Sequence, residues 1–428
     1  MTFALNLFLA FVASVTVANL YYVQPLLAYF ESTFSISTTQ AGTINTLLQS
    51  GYAVGLILIS PLGDMVNRKR LIVSLTVFLI ILSLALGFIS FFPLFQALNF
   101  LMGVLTVIPQ IVIPFASELT PPNRRGAVLG MLTSGFLVGI LAARIVAGAI
   151  TEALNYRWVY YLAAIVQTLL LPFMYFFVPD EPHKSVASAT GHSKRTGVAA
   201  VVEAYARLLG SMVGLLKSQP VLLQACFMGF CQSSSFANFW ATSTFLLAGP
   251  PYNYSTSVIG LLALAGIVGI LTAPFIGRLA DKVSISTMES LGSIGLMATW
   301  LMLKLAGERS FAAVCVGAFC IDVFGQFINI VNRKRILTLV PSANARINAV
   351  FMFLVFMGMT AGSSVGTTTW TLAQWSGPCF LGLACGAGAL AAFLFIVDEE
   401  GEWRYKAAKR WWKGCEKDRL IKQESISA

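Results

Sequence analysis

Leu62-Gly63-Asp64-Met65-Val66-Asn67-Arg68-Lys69-Arg70 and Gly277-Arg278-Leu279-Ala280-Asp281-Lys282 each follow a long apolar run, and Asp64 and Asp281 stand 217 residues apart. That offset is close to half of the 428-residue chain. The sequence therefore reads as two tandem copies of one unit, each with a charged hinge between apolar segments, a construction used by secondary transporters. Composition identifies the solvent of those segments. Apolar residues make up 57% of the chain and charged residues 11%, with a mean hydropathy of +0.79; soluble domains average roughly 45–50% and about 25%. A lipid bilayer is the implied surrounding.

A helix crossing a hydrocarbon core of roughly 30 Å needs about 20 mostly apolar residues, because each backbone amide must be bonded within the segment. Twelve such runs are expected, near 4–28, 41–62, 71–91, 94–116, 127–150, 158–178, 220–247, 257–276, 287–306, 311–332, 347–368 and 377–397. They give an all-α membrane protein with an amino-terminal bundle over 1–179, a linker over 180–219, a second six-helix bundle over 220–397 and a basic tail over 398–428. Within the linker, Val202 to Leu216 has helical periodicity. It suits either a helix on the membrane surface or a plain linker helix.

Lysines and arginines set the orientation. With a cytoplasmic amino terminus, 24 of the 28 collect on one face and three, Arg157, Lys304 and Arg309, on the other; Arg144 lies inside a span. Both termini are therefore expected in the cytoplasm, with the plasma membrane as the expected location. The net charge of +10 follows from this topology and from attraction to membrane surfaces, so no nucleic-acid partner is implied. Trp403, Arg404, Trp411, Trp412 and Lys413 give the tail an interfacial composition. The first apolar run is too long for a removable signal. The seven cysteines lack metal-ligand spacing and read as small packing residues. Asn253-Tyr254-Ser255 is a glycosylation sequon on an outer loop.

The 6 + 6 arrangement with its repeated hinge resembles the major facilitator superfamily across nearly the whole chain. Family hinges follow G-x-L-A-D-R-x-G-R-K; here Ser60, Met65 and Asn67 replace the first glycine, the basic residue and the second glycine. Asn67 is expected to preserve the bend in a left-handed conformation. Asn19 to Leu27, Leu141-Ala142-Ala143-Arg144, Tyr156 to Tyr160, Pro341 and Ala345-Arg346-Ile347-Asn348 resemble the drug, sugar and nucleoside efflux branch. The resemblance implies a monomeric, proton-coupled exporter without cofactor or metal. Family antiporters carry a Gly-Pro kink in the fifth span, and this chain has no proline from Gly126 to Ile150.

Asp64 and Asp281 sit where a carboxylate can face the amino-terminal dipole of another helix. With Arg68, Lys69, Arg70, Gly277, Lys282, Arg125 and Arg346 they form an expected gating set, the alternative being a purely topological role. Ionisable groups in hydrocarbon are costly and tend to be functional. Arg144 and Asp322 are the two deep candidates, for proton coupling or for a permanent structural pair. Gln326 and Asn329 follow Asp322 on one helical face. Asn19, Tyr22, Gln24, Gln110, Gln232, Ser235, Asn238 and Trp240 complete the expected path of a small organic substrate, on the helices that line the cavity in that superfamily; bonds between helices are the alternative for each.

Catalysis lacks support in the sequence. His183 and His192 are the only histidines and both fall in the linker, and no phosphate-binding Gly-Lys-Ser/Thr is present. A transport-inactive receptor is the other alternative, and uptake of a nutrient by proton symport or facilitated diffusion is the alternative within transport.

Overall fold

The computed structural model describes residues 3–64, 66–121, 125–180, 198–337, 339 and 344–395. The linker histidines, Pro122, Arg124, Pro341 and the tail lie outside them, as do the side chains of Asp64, Arg125, Arg207 and Asp281.

The first expected span is interrupted. Helix α1 (Phe3–Ala18) ends in turns, a short 3-10 turn covers Gln24–Leu26, and α2 (Leu27–Phe34) resumes. Pro25 supplies no N–H and sits at the start of that turn, where helix geometry tolerates it. The carbonyl of Gln24, within that turn, accepts the Thr244 hydroxyl at 3.0 Å. Helix α3 (Thr38–Leu58) starts from a reciprocal capping box between Ser37 and Gln40, which satisfies orphan amides at its amino terminus. After the hinge comes α4 (Arg68–Phe88), then α5 (Phe92–Leu105) and α6 (Ile108–Glu118), a single membrane-length run broken just before Pro109. Helices α7 (Arg125–Ala153) and α8 (Tyr156–Phe177) finish the first half. The linker helix is α9 (Val198–Ser218).

The second half comprises α10 (Pro220–Ala248), α11 (Thr256–Leu261), α12 (Ala263–Lys282), α13 (Ile285–Ala306), α14 (Phe311–Leu337), α15 (Asn344–Ala373) and α16 (Ser376–Phe395). Each of the twelve expected runs lies largely on helix among the described residues, the first with a break. Seven stretches among the described residues are long and apolar enough on their own to cross a membrane, from Arg68–Phe88 to Ser376–Leu394. Helices α3 and α10 are not among them, because protein rather than lipid surrounds much of each. Asn45 and Gln49 on α3, and Ser233, Ser234, Ser235, Asn238 and Thr242 on α10, are all buried. The lipid-facing side is apolar: Phe78, Ile81, Leu101, Phe173, Phe176, Leu305 and Leu372 are exposed, as a bilayer requires.

The hinge bends by a different device from the one expected. Asn67 has φ −61°, not a left-handed value, and its side chain caps α4 by accepting the Arg70 N–H at 3.1 Å. An N-cap asparagine needs extended backbone, so the turn survives without the glycine.

Helices α3 and α5 meet backbone to backbone. A Cβ on Gly51 would overlap the Phe100 carbonyl oxygen, and one on Gly103 would overlap that of Leu48. Small residues give such close approach in membranes, where apolar side chains gain little by leaving lipid. Gly103→Val is expected to destabilise the protein by about 1–3 kcal/mol through overpacking, lowering the thermal midpoint of the detergent-purified chain; an unchanged midpoint would refute this packing.

Candidate functional site

Call the end of the bundle that carries Arg68, Lys69, Arg70 and the start of α15 the basic end, and the opposite end the far end. The two halves touch at the far end and at mid-depth. The Asn45 amide of α3 donates to Ser363 Oγ of α15 at 2.8 Å, and Thr46 Oγ1 lies 3.4 Å from the same hydroxyl. Deeper, the Tyr52 and Phe356 rings are 4.2 Å apart. On the other side of the seam, a Cβ on Gly260 would come within 2.7 Å of the Arg144 carbonyl, and Glu152 accepts the Ser257 N–H at 2.9 Å. Near the basic end, bridges run through α9, where Tyr205 donates to the Ile57 carbonyl and Arg346 Nη1 donates to Ser211 Oγ at 3.1 Å. Met212 of that helix is buried among protein side chains.

Arg144 occupies the middle of the seam and is 3% exposed. Its Nε donates to Gln24 Oε1 at 2.8 Å, a contact made possible by the break before α2. Its guanidinium lies 3.7 Å from the Trp240 ring centroid, with Tyr21 at 5.3 Å and Phe236 at 5.6 Å. This is a cation held against aromatic faces. Asp322 approaches from α14, close enough to act electrostatically on Arg144 and Tyr21. A Cβ on Gly266 would be 2.7 Å from Asp322 Oδ2 and 3.8 Å from the Trp240 indole, so glycine leaves the space the carboxylate uses. Among the described residues, no carboxylate forms an ion pair with Arg144 within 4 Å. Gln24 and Arg144 come from the first half and Trp240 and Asp322 from the second.

The other expected path residues separate into two groups. Tyr22, Gln110, Gln232, Gln326 and Asn329 are half-buried; Gln110 sits beside Tyr52, and Gln232 lies against Gly325 of α14. Asn19, Ser235 and Asn238 are buried inside one half. Asn19 accepts from Gln167 at 3.3 Å, Ser235 accepts the Trp300 indole N–H at 2.7 Å, and Asn238 donates to the Pro378 carbonyl at 2.8 Å.

Of the hinge residues, Arg68 is buried, donating to the Gly63 carbonyl and pairing with Glu118, each at 2.9 Å. Lys69 pairs with Asp180 at 3.2 Å. That hydrogen bond, with help from Asn67, holds the Asp180 carboxyl below the usual carboxylate range. The clasp is complete above that range and is lost as pH falls through the depressed value. Arg70 and Lys282 are exposed and a Cβ on Gly277 would meet nothing within 4 Å. Asn253 is exposed at a left-handed turn, φ 49°.

Sequence reasoning passed over two residues that matter. Tyr21, rather than its neighbour Tyr22, faces Arg144; helical phase failed to choose because the helix has already unwound there. Glu289, not among the expected site residues, is 0% exposed on α13, with Arg335 at 3.7 Å and no hydrogen bond to either oxygen. Its position one turn after Ser284, the N-cap of α13, concealed its depth.

The family description "Major Facilitator Superfamily" matches residues 8–302. The chain belongs to the Major Facilitator Superfamily. Membership makes it a multi-pass membrane transport protein rather than an enzyme. An uncharacterized transporter of Escherichia coli, YgaY, is 33% identical over 417 residues, covering 96% of this chain and 95% of that one. The cis,cis-muconate transport protein of Acinetobacter baylyi is 28% identical over 275 residues, covering 61% and 62%. A crystal structure of a POT family transporter in complex with a thioalcohol-conjugated peptide superposes with a TM-score of 0.71 at 16% identity, covering 92% of this chain and 95% of that chain; it shares the superfamily fold.

The far-end seam generates a test. Replacing Asn45 and Ser363 by cysteine should yield a disulfide under mild oxidation. With a protease site placed in residues 181–197, the cleaved halves should stay together on a non-reducing gel and separate after reduction. Halves that separate without reductant would refute the α3–α15 contact.

Proposed function

We propose that this superfamily member moves a small organic solute by alternating access with proton coupling through Asp322 and Arg144. The observation that carries the reading is that these two opposite charges approach each other from different halves, in the middle of the seam. A charge pair that straddles a moving interface feels each change of state, whereas one inside a rigid half does not. Residues 1–179 and 220–397 act as the two rocking bodies. The basic end faces the cytoplasm, and the closed far-end seam fits an inward-facing arrangement. The half-buried Tyr22, Gln110, Gln232, Gln326 and Asn329 line the solute path. Asp64 and Asp281 latch the basic end in the opposite state, supported by Arg68 fixing the hinge turn. Export is the direction that the sequence resemblance favours, and monomers embedded in lipid suffice for the cycle.

Asp322→Asn is the direct test of coupling. Exchange of solute across proteoliposomes should persist while accumulation driven by a pH gradient is lost; an unchanged pH dependence would remove Asp322 from the proton path. Asp64→Asn should slow flux more than it weakens solute binding, and normal flux in a folded, membrane-inserted variant would leave Asp64 a topological marker.

A further inference from the structure

Arg144 is a buried cation whose geometry is incomplete. A guanidinium has five N–H donors in a planar fork, and taking such a charge out of water costs several kcal/mol unless it is paired. Here Gln24 fixes the Nε edge, Trp240 covers one face, and Nη2 has no hydrogen-bond partner. The fork is oriented, and the edge carrying Nη2 is left to an acceptor. Two oxygens of a carboxylate fit that edge better than any single acceptor does. The surfaces beside it are the rings of Trp240, Phe236 and Tyr21. They suit a planar or unsaturated body.

We propose that Arg144 anchors a carboxylate-bearing organic anion whose planar or unsaturated body lies along Trp240 and Phe236, and that the anion takes Arg144 in exchange for Asp322. The proposal rests on the transport function above and names its substrate class. Charge balance then sets the sign of coupling. The groups facing Asp322 are Arg144 from α7, the Tyr21 hydroxyl from the segment between α1 and α2, the neutral Trp240 from α10 and Gly266 from α12. When an anion occupies Arg144, the Asp322 carboxylate loses its nearest cation, so a proton on Asp322 and an anion on Arg144 favour each other. Proton and anion travel in the same direction. A cationic solute would do the reverse, pairing with Asp322 and expelling its proton. The sign of coupling therefore reports the charge of the solute; with an inward proton gradient this sign drives uptake, in place of the export by exchange for a proton that the efflux resemblance implies.

The test uses the detergent-purified full chain and thermal stabilisation by millimolar benzoate and sorbate, each compared with its neutral amide and with benzylammonium. The two carboxylates should raise the midpoint saturably, while the amides and the cation leave it unchanged. The carboxylate effect should grow as pH falls, over a range where the probes remain ionised, and should become independent of pH in Asp322→Asn. Arg144→Gln should abolish it, and Arg144→Lys should weaken apparent affinity about tenfold or more, because a point charge replaces a fork. Should Arg144→Gln fail to fold, Trp240→Leu takes its place, expected to weaken binding of benzoate. Equal stabilisation by amide or cation, no stabilisation by either carboxylate, or full binding in a folded Arg144→Gln protein would overturn the proposal. Counterflow in proteoliposomes separates the two levels. Carboxylates that bind without exchanging would refute transport and leave the anion site standing, whereas exchange of a neutral or cationic solute with no carboxylate binding would do the opposite.

Discussion

The cost of holding one guanidinium away from water organises the centre of this protein. Arg144 cannot shed its charge in any ordinary way, so its surroundings must supply what water would. Gln24 supplies an acceptor because α1 unwinds before Pro25, Trp240 supplies a π-face, and Asp322 supplies an opposing charge from across the seam. Each partner belongs to a different element. Moving any of those elements changes the solvation of the same cation, and that is how a local charge becomes sensitive to the arrangement of whole helices.

The helices around that centre pack in a way that lets them act as units. Inside the first half, glycines bring α3 and α5 into backbone contact; inside the second, Ser235–Trp300 and Asn238–Pro378 tie α10 to α13 and α16. Between the halves run the Asn45–Ser363 and Thr244–Gln24 hydrogen bonds, the Glu152–Ser257 contact, the Tyr52 and Phe356 rings, and close-packed glycines of α7 and α11. Apolar side chains of both halves share one core there.

Much of this was legible in the chain. The repeated hinge and the twelve apolar runs announce the fold, and an arginine and an aspartate in the middle of apolar spans are conspicuous. What escaped was three-dimensional phase. Asn19, Ser235 and Asn238 look like path residues because polar groups in a span suggest water, but helix–helix bonds satisfy them equally well. Tyr21 and Tyr22 could not be distinguished without knowing where α1 stops. Glu289 sat too near a helix start for its burial to be read. The hinge asparagine kept its bend as an N-cap, a local solution that the missing glycine did not suggest.

Helix α9 meets α3 through Tyr205 and α15 through Ser211, six residues apart in one rigid rod. At 1.5 Å per residue those two anchors are separated by about 9 Å along the axis. A flexible tether of equal length would set only an upper limit on how far the two halves part at the basic end. A rod pinned at both places sets the distance itself, so the connection between the halves is a strut, and the spacing of its pins is part of the geometry of the state it holds.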